Sequence, residues 1–314
     1  YDTPAKNVQI SNIRFLKMNA TGNNDMLKLS GLDSFEVLNC HFFDGSPGGS
    51  GIDMVGCHYG IIRQCSFTNQ GNSIQCKGGS RFLRIEQNLF SNGGDRTLNL
   101  GGSTGAPFFR PVQANYEASE ILVSSNHFQG SQAPIAYVGC RRVQVSNNTF
   151  YNPTKWIIRI LQESADTSFY QSCANNIFSN NLIYASSIDP TINIGPYTSE
   201  KTFQFQNNLW FSSRNQNWKG PTLPVTEANG LYAINPMLED IVNGNVRPTK
   251  NSPVIGKGKF YSEINTDFYK QSFKNPPSIG CSEYVNTTYT VDNNVIPLLL
   301  FPNPASEFIH LDNV

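Results

Sequence analysis

Six residues that can ionise or hydrogen-bond occupy one recurring place in this chain. Lys28, Asp53, Gln75, Asn99, Arg159 and Asn193 each stand between two apolar residues, as in Ile52-Asp53-Met54 or Ile158-Arg159-Ile160. Ala136 fills the same place in Ile135-Ala136-Tyr137. Lys77 lies two positions after Gln75, Arg96 precedes the Leu98-Asn99-Leu100 triplet, and Arg110 follows in the 101–118 segment. The amides of Gln75, Asn99 and Asn193 suit hydroxyl groups, and Lys28, Arg110 and Arg159 suit carboxylates. These are the expected substrate-binding residues. β-Elimination beside a carboxylate needs a base and a neutralising cation. Lys77, set among other cations, is the candidate base, because neighbouring positive charge favours the neutral amine. Arg96 is the candidate partner of the reacting carboxylate. Asp53 is the third catalytic candidate, as a carboxylate that orients Lys77 or holds a metal.

The same residues admit other readings. A glycoside hydrolase needs two carboxyl groups about 5 to 10 Å apart, and Asp53 would then need Asp25, Asp95 or Glu163. A glycan-binding adhesin needs only the polar face. Lys28 and Asp53 could form a plain surface ion pair, which contributes about 0 to 1 kcal/mol. His58, in the turn after Gly56, is a candidate base, although a lone turn histidine reads more simply as an ordinary turn residue. Phe108, Phe109, Tyr116 and Trp156 are candidates for a sugar-stacking platform or for the edge of the core.

Side chains alternate faces along a strand, so the middle residue of each apolar triplet points outward. For these residues to meet, their strands must stack in register. The chain supplies that register. Phe15, Phe42, Phe67, Phe90, Phe128, Phe150 and Trp210 end a second family of apolar-alternating segments. The first five gaps are 27, 25, 23, 38 and 22 residues, and 60 residues then hold two rungs. Such a period predicts a β-solenoid of about 7 to 10 rungs, each covering its neighbour's core. Leu27, Ile52, Ile74, Leu98, Ile135, Ile158 and Ile192 form the expected inward ladder. Asn39, Asn88, Asn126, Asn148 and Asn208 recur just before the aromatics, where Asn suits a left-handed corner and a stacked amide ladder. The long gap puts an extended loop at residues 101–118, beside the polar column. Residues 212–230 break the pattern and read as a second loop.

Composition supports an all-β chain, with sparse helix formers and frequent Asn, Ser, Gly and Phe. With 23 basic and 23 acidic side chains, no nucleic-acid partner is expected. No run of 18 apolar residues predicts a membrane span. The seven cysteines show no C-x-x-C pair. Cys40 and Cys65 share one repeat position in adjacent rungs, within reach of a disulfide, whereas Cys76 reads as an inward core thiol. The chain opens at Tyr1 just before the first repeat strand, which suggests a processed or trimmed chain.

The repeat resembles the right-handed parallel β-helix of the pectate-lyase-like superfamily, over residues 7 to 284. The runs Gly101-Gly102-Ser103-Thr104-Gly105, Phe108-Phe109-Arg110-Pro111 and Arg159-Ile160-Leu161-Gln162-Glu163 are similar to those of a bacterial subgroup. Asn235-Pro236, the segment from Gly244 to Pro248 and the segment from Ser252 to Gly256 resemble the last rungs of secreted members. The resemblance implies a carbohydrate-active protein, with a lyase on an acidic polysaccharide as the first expectation. Lyases of this superfamily often work through basic residues, some with calcium. Calcium-type Asp clusters are not evident, and no cofactor is expected. Phe301-Pro302-Asn303-Pro304-Ala305-Ser306 resembles the opening of the C-terminal sorting domain of the type IX secretion pathway of Bacteroidota. That implies a β-helix over 1–284, a linker over 285–296 and the start of a sorting domain over 297–314. The motif also implies that the type IX machinery handles the protein and that it is secreted or held at the cell surface, and a monomer is expected.

Overall fold

The computed structural model describes residues 3–286 apart from 165 and 167. The proposed sorting segment, 297–314, and the linker from 287 onward lie outside the described residues. Three parallel sheets, of nine, nine and seven strands, form a parallel β-solenoid. The described residues include three 3-10 turns and no α-helix. The first sheet runs from Ala5–Ser11 to Gln204–Gln206, and the second from Arg14–Leu16 to Leu231–Tyr232. The third consists of Leu27–Ser30, Ser50–Val55, Asn72–Lys77, Arg96–Gly101, Ile135–Val138, Trp156–Leu161 and Thr191–Ile194.

The register of this third sheet is the expected one. Lys28, Asp53, Gln75, Asn99, Ala136, Arg159 and Asn193 are successive Cα partners. Their apolar neighbours Ile52, Ile74, Leu98, Ile135 and Ile158 are fully buried. Leu27 and Ile192, on the outermost strands, are half-buried and pack against the same core. Deeper inside, Phe15, Phe42, Phe67, Phe90, Phe128 and Phe150 stack ring on ring, with centroids 4.6 to 5.1 Å apart. Ile183 takes the anchor position between Phe150 and Trp210. Phe178, from the first sheet, supplies the missing ring, 5.8 Å from Phe150 and 6.0 Å from Trp210.

The recurring asparagines do two jobs, and different residues do them. Asn39, Gln64, Gln87, Ser125, Asn147, Asn180 and Asn207 turn the corner at positive φ. The residues that follow the last four, with Asn88, point inward as an amide ladder. Asn88 donates to Asn126, Asn126 to Asn148 and Asn148 to Asn181, at 3.0, 3.0 and 3.1 Å. Asn208 accepts from the Asn181 backbone N–H and donates to Glu227. Asn39 thus belongs to the corner, while Asn88, Asn126, Asn148 and Asn208 belong to the ladder. Cys40 and Cys65 occupy the ladder position in earlier rungs.

Those two cysteines stack as expected, yet all seven thiols are free and buried. The disulfide expectation is therefore corrected. The Cys40 and Cys65 thiols instead donate to the carbonyls of Leu38 and Arg63, each at 3.4 Å. Cys76 is a core thiol, as expected.

The 212–230 loop folds over the core, with Trp218, Leu223 and Val225 packed against it. The segments expected to form last rungs do not. Leu238–Asp240 and Asn245–Pro248 form an antiparallel hairpin instead. A proline, which lacks a donor, suits such an edge better than a solenoid rung. Residues 257–284 then form a strap along the corner between the first two sheets. They bond to Asn207, Asn180, Asn147, Ser125 and Gln87 in turn.

Candidate functional site

The outward face of the third sheet carries a groove of about 580 Å³, lined by Gln75, Lys77, Arg96, Asn99 and Arg159 among others. A second cavity of about 360 Å³ contains Lys28, Lys77, Thr104 and Phe108. Lys77 and Ser103 line both, so the two cavities are neighbours on this face. Strand alternation places Gln75 and Lys77 on one face, and rung stacking brings Asn99 beside Gln75. The structure thus brings together Lys28, Lys77, Gln75, Arg96, Asn99 and Arg159.

Asp53 belongs to the column but not to the surface. It is 0% exposed, covered by the lysines on either side. Its Oδ2 pairs with the Lys28 ammonium and, at 3.2 Å, with that of Lys77. Its Oδ1 has no hydrogen-bond partner among the described residues. This is an ion triad around a buried carboxylate, with Lys28 still 47% exposed, rather than the exposed pair that a polar outward position suggested. A buried carboxylate without its cations is costly, so Asp53 fixes the two ammonium groups at the groove floor.

Arg96 donates to Asn99 Oδ1 at 3.2 Å and to Glu163 Oε1 at 2.6 Å. Arg159 donates to Asn193 at 3.0 Å and lies over the Trp156 ring, 4.6 Å from its centroid. Asn193 therefore positions Arg159. Burial, and then the charge of Arg96, hold the Arg159 pKa below its ordinary value. The two guanidiniums sense each other across the rung of Ala136, which is itself buried against Val138 and Leu161. An anion between them would relieve their repulsion. Asp95 and Glu163 also line this groove, so two carboxylates share it with the cations. Asp25 lies apart from it and pairs with Lys28 at 3.7 Å.

The 101–118 loop walls the groove, as its length suggested, but its arginine does not reach in. Arg110 bonds to Asp33 Oδ1 at 2.6 Å and to the Gly56 carbonyl at 2.7 Å. It anchors the loop to the corner, which overturns the substrate-binding expectation. His58 belongs to the same anchor. Its Nε2 faces the carbonyls of Gly79 and Arg110, and its Nδ1 lies 3.5 Å from Asp33. Burial and the Arg110 charge lower its pKa, which keeps the ring neutral.

Glu117, absent from the expectations, holds the other side of the loop. This fully buried carboxylate accepts from the backbone N–H groups of Gly78 and Thr104 and the hydroxyls of Thr104 and Ser164. Nothing in the polar sequence around it, which also holds Asn115, Ser119 and Glu120, singled it out. Phe109 is buried, so it cannot stack on a sugar. Phe108 stands exposed at the rim. Trp156 is flanked by Lys155 and Arg159. Among the described residues no group of three or more His, Cys, Asp or Glu is placed to hold a metal. No described helix is long and apolar enough to cross a membrane.

No family model matches this chain, and no curated protein does. Solved structures do. The alginate lyase of Paenibacillus sp. str. FPU-7 is 13% identical, with 68% of this chain and 77% of that chain covered at a TM-score of 0.41. Pectate lyase Pel9A is 12% identical over 90% of this chain and 86% of that chain, at a TM-score of 0.31. The plasmid-mediated fluoroquinolone resistance protein QnrB1 is 12% identical over 72% and 94%, at 0.20.

Proposed function

We propose that this protein is a polysaccharide lyase that cleaves a uronate-containing polymer by β-elimination. One observation carries the reading. Lys77 borders two neighbouring cavities on one sheet face, with Arg96 and Arg159 in one and Lys28 in the other, and the carboxylate that holds both lysines is buried beneath. A long parallel-sheet face suits an extended acidic chain.

In this reading Arg96 neutralises the uronate carboxylate beside the scissile bond, exchanging its contact with Glu163 for the substrate. Lys77 pairs with Asp53 as the ammonium, so it acts as base only after it has given up a proton to solvent, and it then takes the proton alpha to that carboxylate. The C–H electrons form the new double bond as the glycosidic C–O bond breaks, and the departing oxygen takes a proton from solvent water. Asp53 stabilises the ammonium formed on Lys77. Gln75 and Asn99 bind hydroxyls, Lys28 extends the cationic floor, and Arg159 holds a neighbouring uronate. A polymeric substrate of this kind agrees with a secreted or surface-held protein.

Asp95 and Glu163 favour one second reading, a glycoside hydrolase. They replace Asp53 in that role, because a carboxylate buried behind two lysines cannot reach a sugar. A screen against uronate polymers separates the two. Unsaturated product absorbing near the ultraviolet edge supports the lyase. New reducing ends without that absorbance establish the hydrolase, and binding without either product removes both.

A further inference from the structure

A different corner of the solenoid carries a column of residues that all turn at positive φ. In rung order they are Asn7, Ser34, Tyr59, Phe82, Glu120, Arg142 and Asn175, with φ between 52° and 57°. Their strands pair in register, so the side chains stack outward one above another. Asn suits this conformation, while a bulky aromatic resists it. Two adjacent rungs nevertheless use Tyr59 and Phe82.

Burial does not explain them, since they are 54% and 40% exposed. They stack nearly parallel, with centroids 5.0 Å apart and planes 11° apart. Arg81 lies over the Phe82 ring at 5.3 Å. On the other side of Tyr59 the next residue in the column is Ser34, too small to continue the stack. A groove of about 310 Å³ opens there, lined by Asn7, Gln9, Ser34, Glu36 and Tyr59 among others.

We infer that this corner is a carbohydrate-binding site for a neutral pyranose, separate from the cationic groove. The ring occupies the Ser34 level and stacks on the free face of Tyr59. Rung spacing of about 4.8 Å leaves room there for one ring layer. Gln9 and Glu36, bonded to each other at 3.2 Å, present an amide and a carboxylate to its hydroxyls, with Asn7 at the next level. An acidic sugar would meet the Glu36 carboxylate and be repelled. Phe82 backs Tyr59 and holds the platform, which explains why two strained aromatics stand together.

Native gel electrophoresis through hydroxyethyl cellulose, xylan or polygalacturonate tests the site. The wild-type protein should be retarded by a neutral polymer. Tyr59→Asn, a residue suited to this backbone, should weaken that retardation about tenfold, the scale of one lost aromatic stacking contact. Ser34→Phe should do the same by filling the vacant level with Tyr59 still present. Thermal melting of each variant checks that the fold persists. A Lys77→Met variant should keep its neutral-polymer binding, which separates this site from the groove. Absence of retardation by both neutral polymers overturns the inference. So does undiminished retardation of a folded Tyr59→Asn, or retardation by polygalacturonate alone that depends on Tyr59.

Discussion

The inward asparagine ladder and the outward groove column are built on the same repeat spacing, and both are columns of polar side chains. They differ in what satisfies them. Asn148 donates to Val123, Ser146 and Asn181 and accepts from Asn126 twice. Its bonding capacity is met inside the protein. In the groove, Arg96, Arg159 and Gln75 reach open space, and Asp53 keeps one oxygen unpartnered. Stacking in register therefore does not by itself mark a site. A column whose groups satisfy one another is structural, and one that leaves charge facing a cavity is available to a ligand.

Three experiments break or sharpen this contrast. Replacing Lys77 has the largest expected effect. Lys77→Met should lower turnover of a verified uronate polymer by about 10²- to 10⁴-fold, the usual scale for a lost proton-transfer group. Because Lys77 also pairs with buried Asp53, a thermal melt should show some destabilisation. Adding Asp53→Asn should restore part of that stability without restoring turnover. Full activity in a folded Lys77→Met would end the mechanism.

Asn148→Leu should come next, costing about 3 to 5 kcal/mol, because several buried donors and acceptors lose partners together. Urea titration would show it. A loss below about 1 kcal/mol would mean that the ladder is no more structural than the groove.

His127 is a third case, a buried polar residue that no described residue satisfies. Both ring nitrogens lack partners among the described residues, and the ring lies under the strap, 6.0 Å from the Phe268 ring centroid. Burial lowers its pKa to about 4. The unfolded chain binds a proton near pH 6.5, while the folded chain stays neutral until about pH 4. Stability is therefore lost as pH falls across that window, by about 3 kcal/mol in all. Asp267 shifts oppositely, since burial raises its pKa, and it adds stability on the acid side. Urea titrations of wild type and His127→Phe at pH 7 and 4 isolate the histidine. Equal acid sensitivity of the two would show that His127 finds a partner.

The solenoid was legible because Phe spacing and strict alternation survive in nearly every rung. The column register was legible for the same reason. Depth was not. Alternation says which way Asp53 points, but not that Lys28 and Lys77 close over it. Arg110 and Glu117 escaped because a loop's path has no period, so nothing local tells an anchor from a ligand contact. The Cys40–Cys65 pair shows the same limit. Stacking brought the residues together, while main-chain carbonyls, invisible in a repeat pattern, took the thiols.

The strap of residues 257–284 changes how the molecule should come apart. A stack in which each rung touches only its neighbours can fray from an end, one rung at a time. Here a single returning segment is tied to corners from Gln87 to Asn207. It links rungs that do not touch, so losing one of them also loosens its hold on others far along the axis. Unfolding of the 257–284 segment and of the rungs it spans should accordingly be one cooperative event, and severing the chain near Gly256 should split that event into a graded melt.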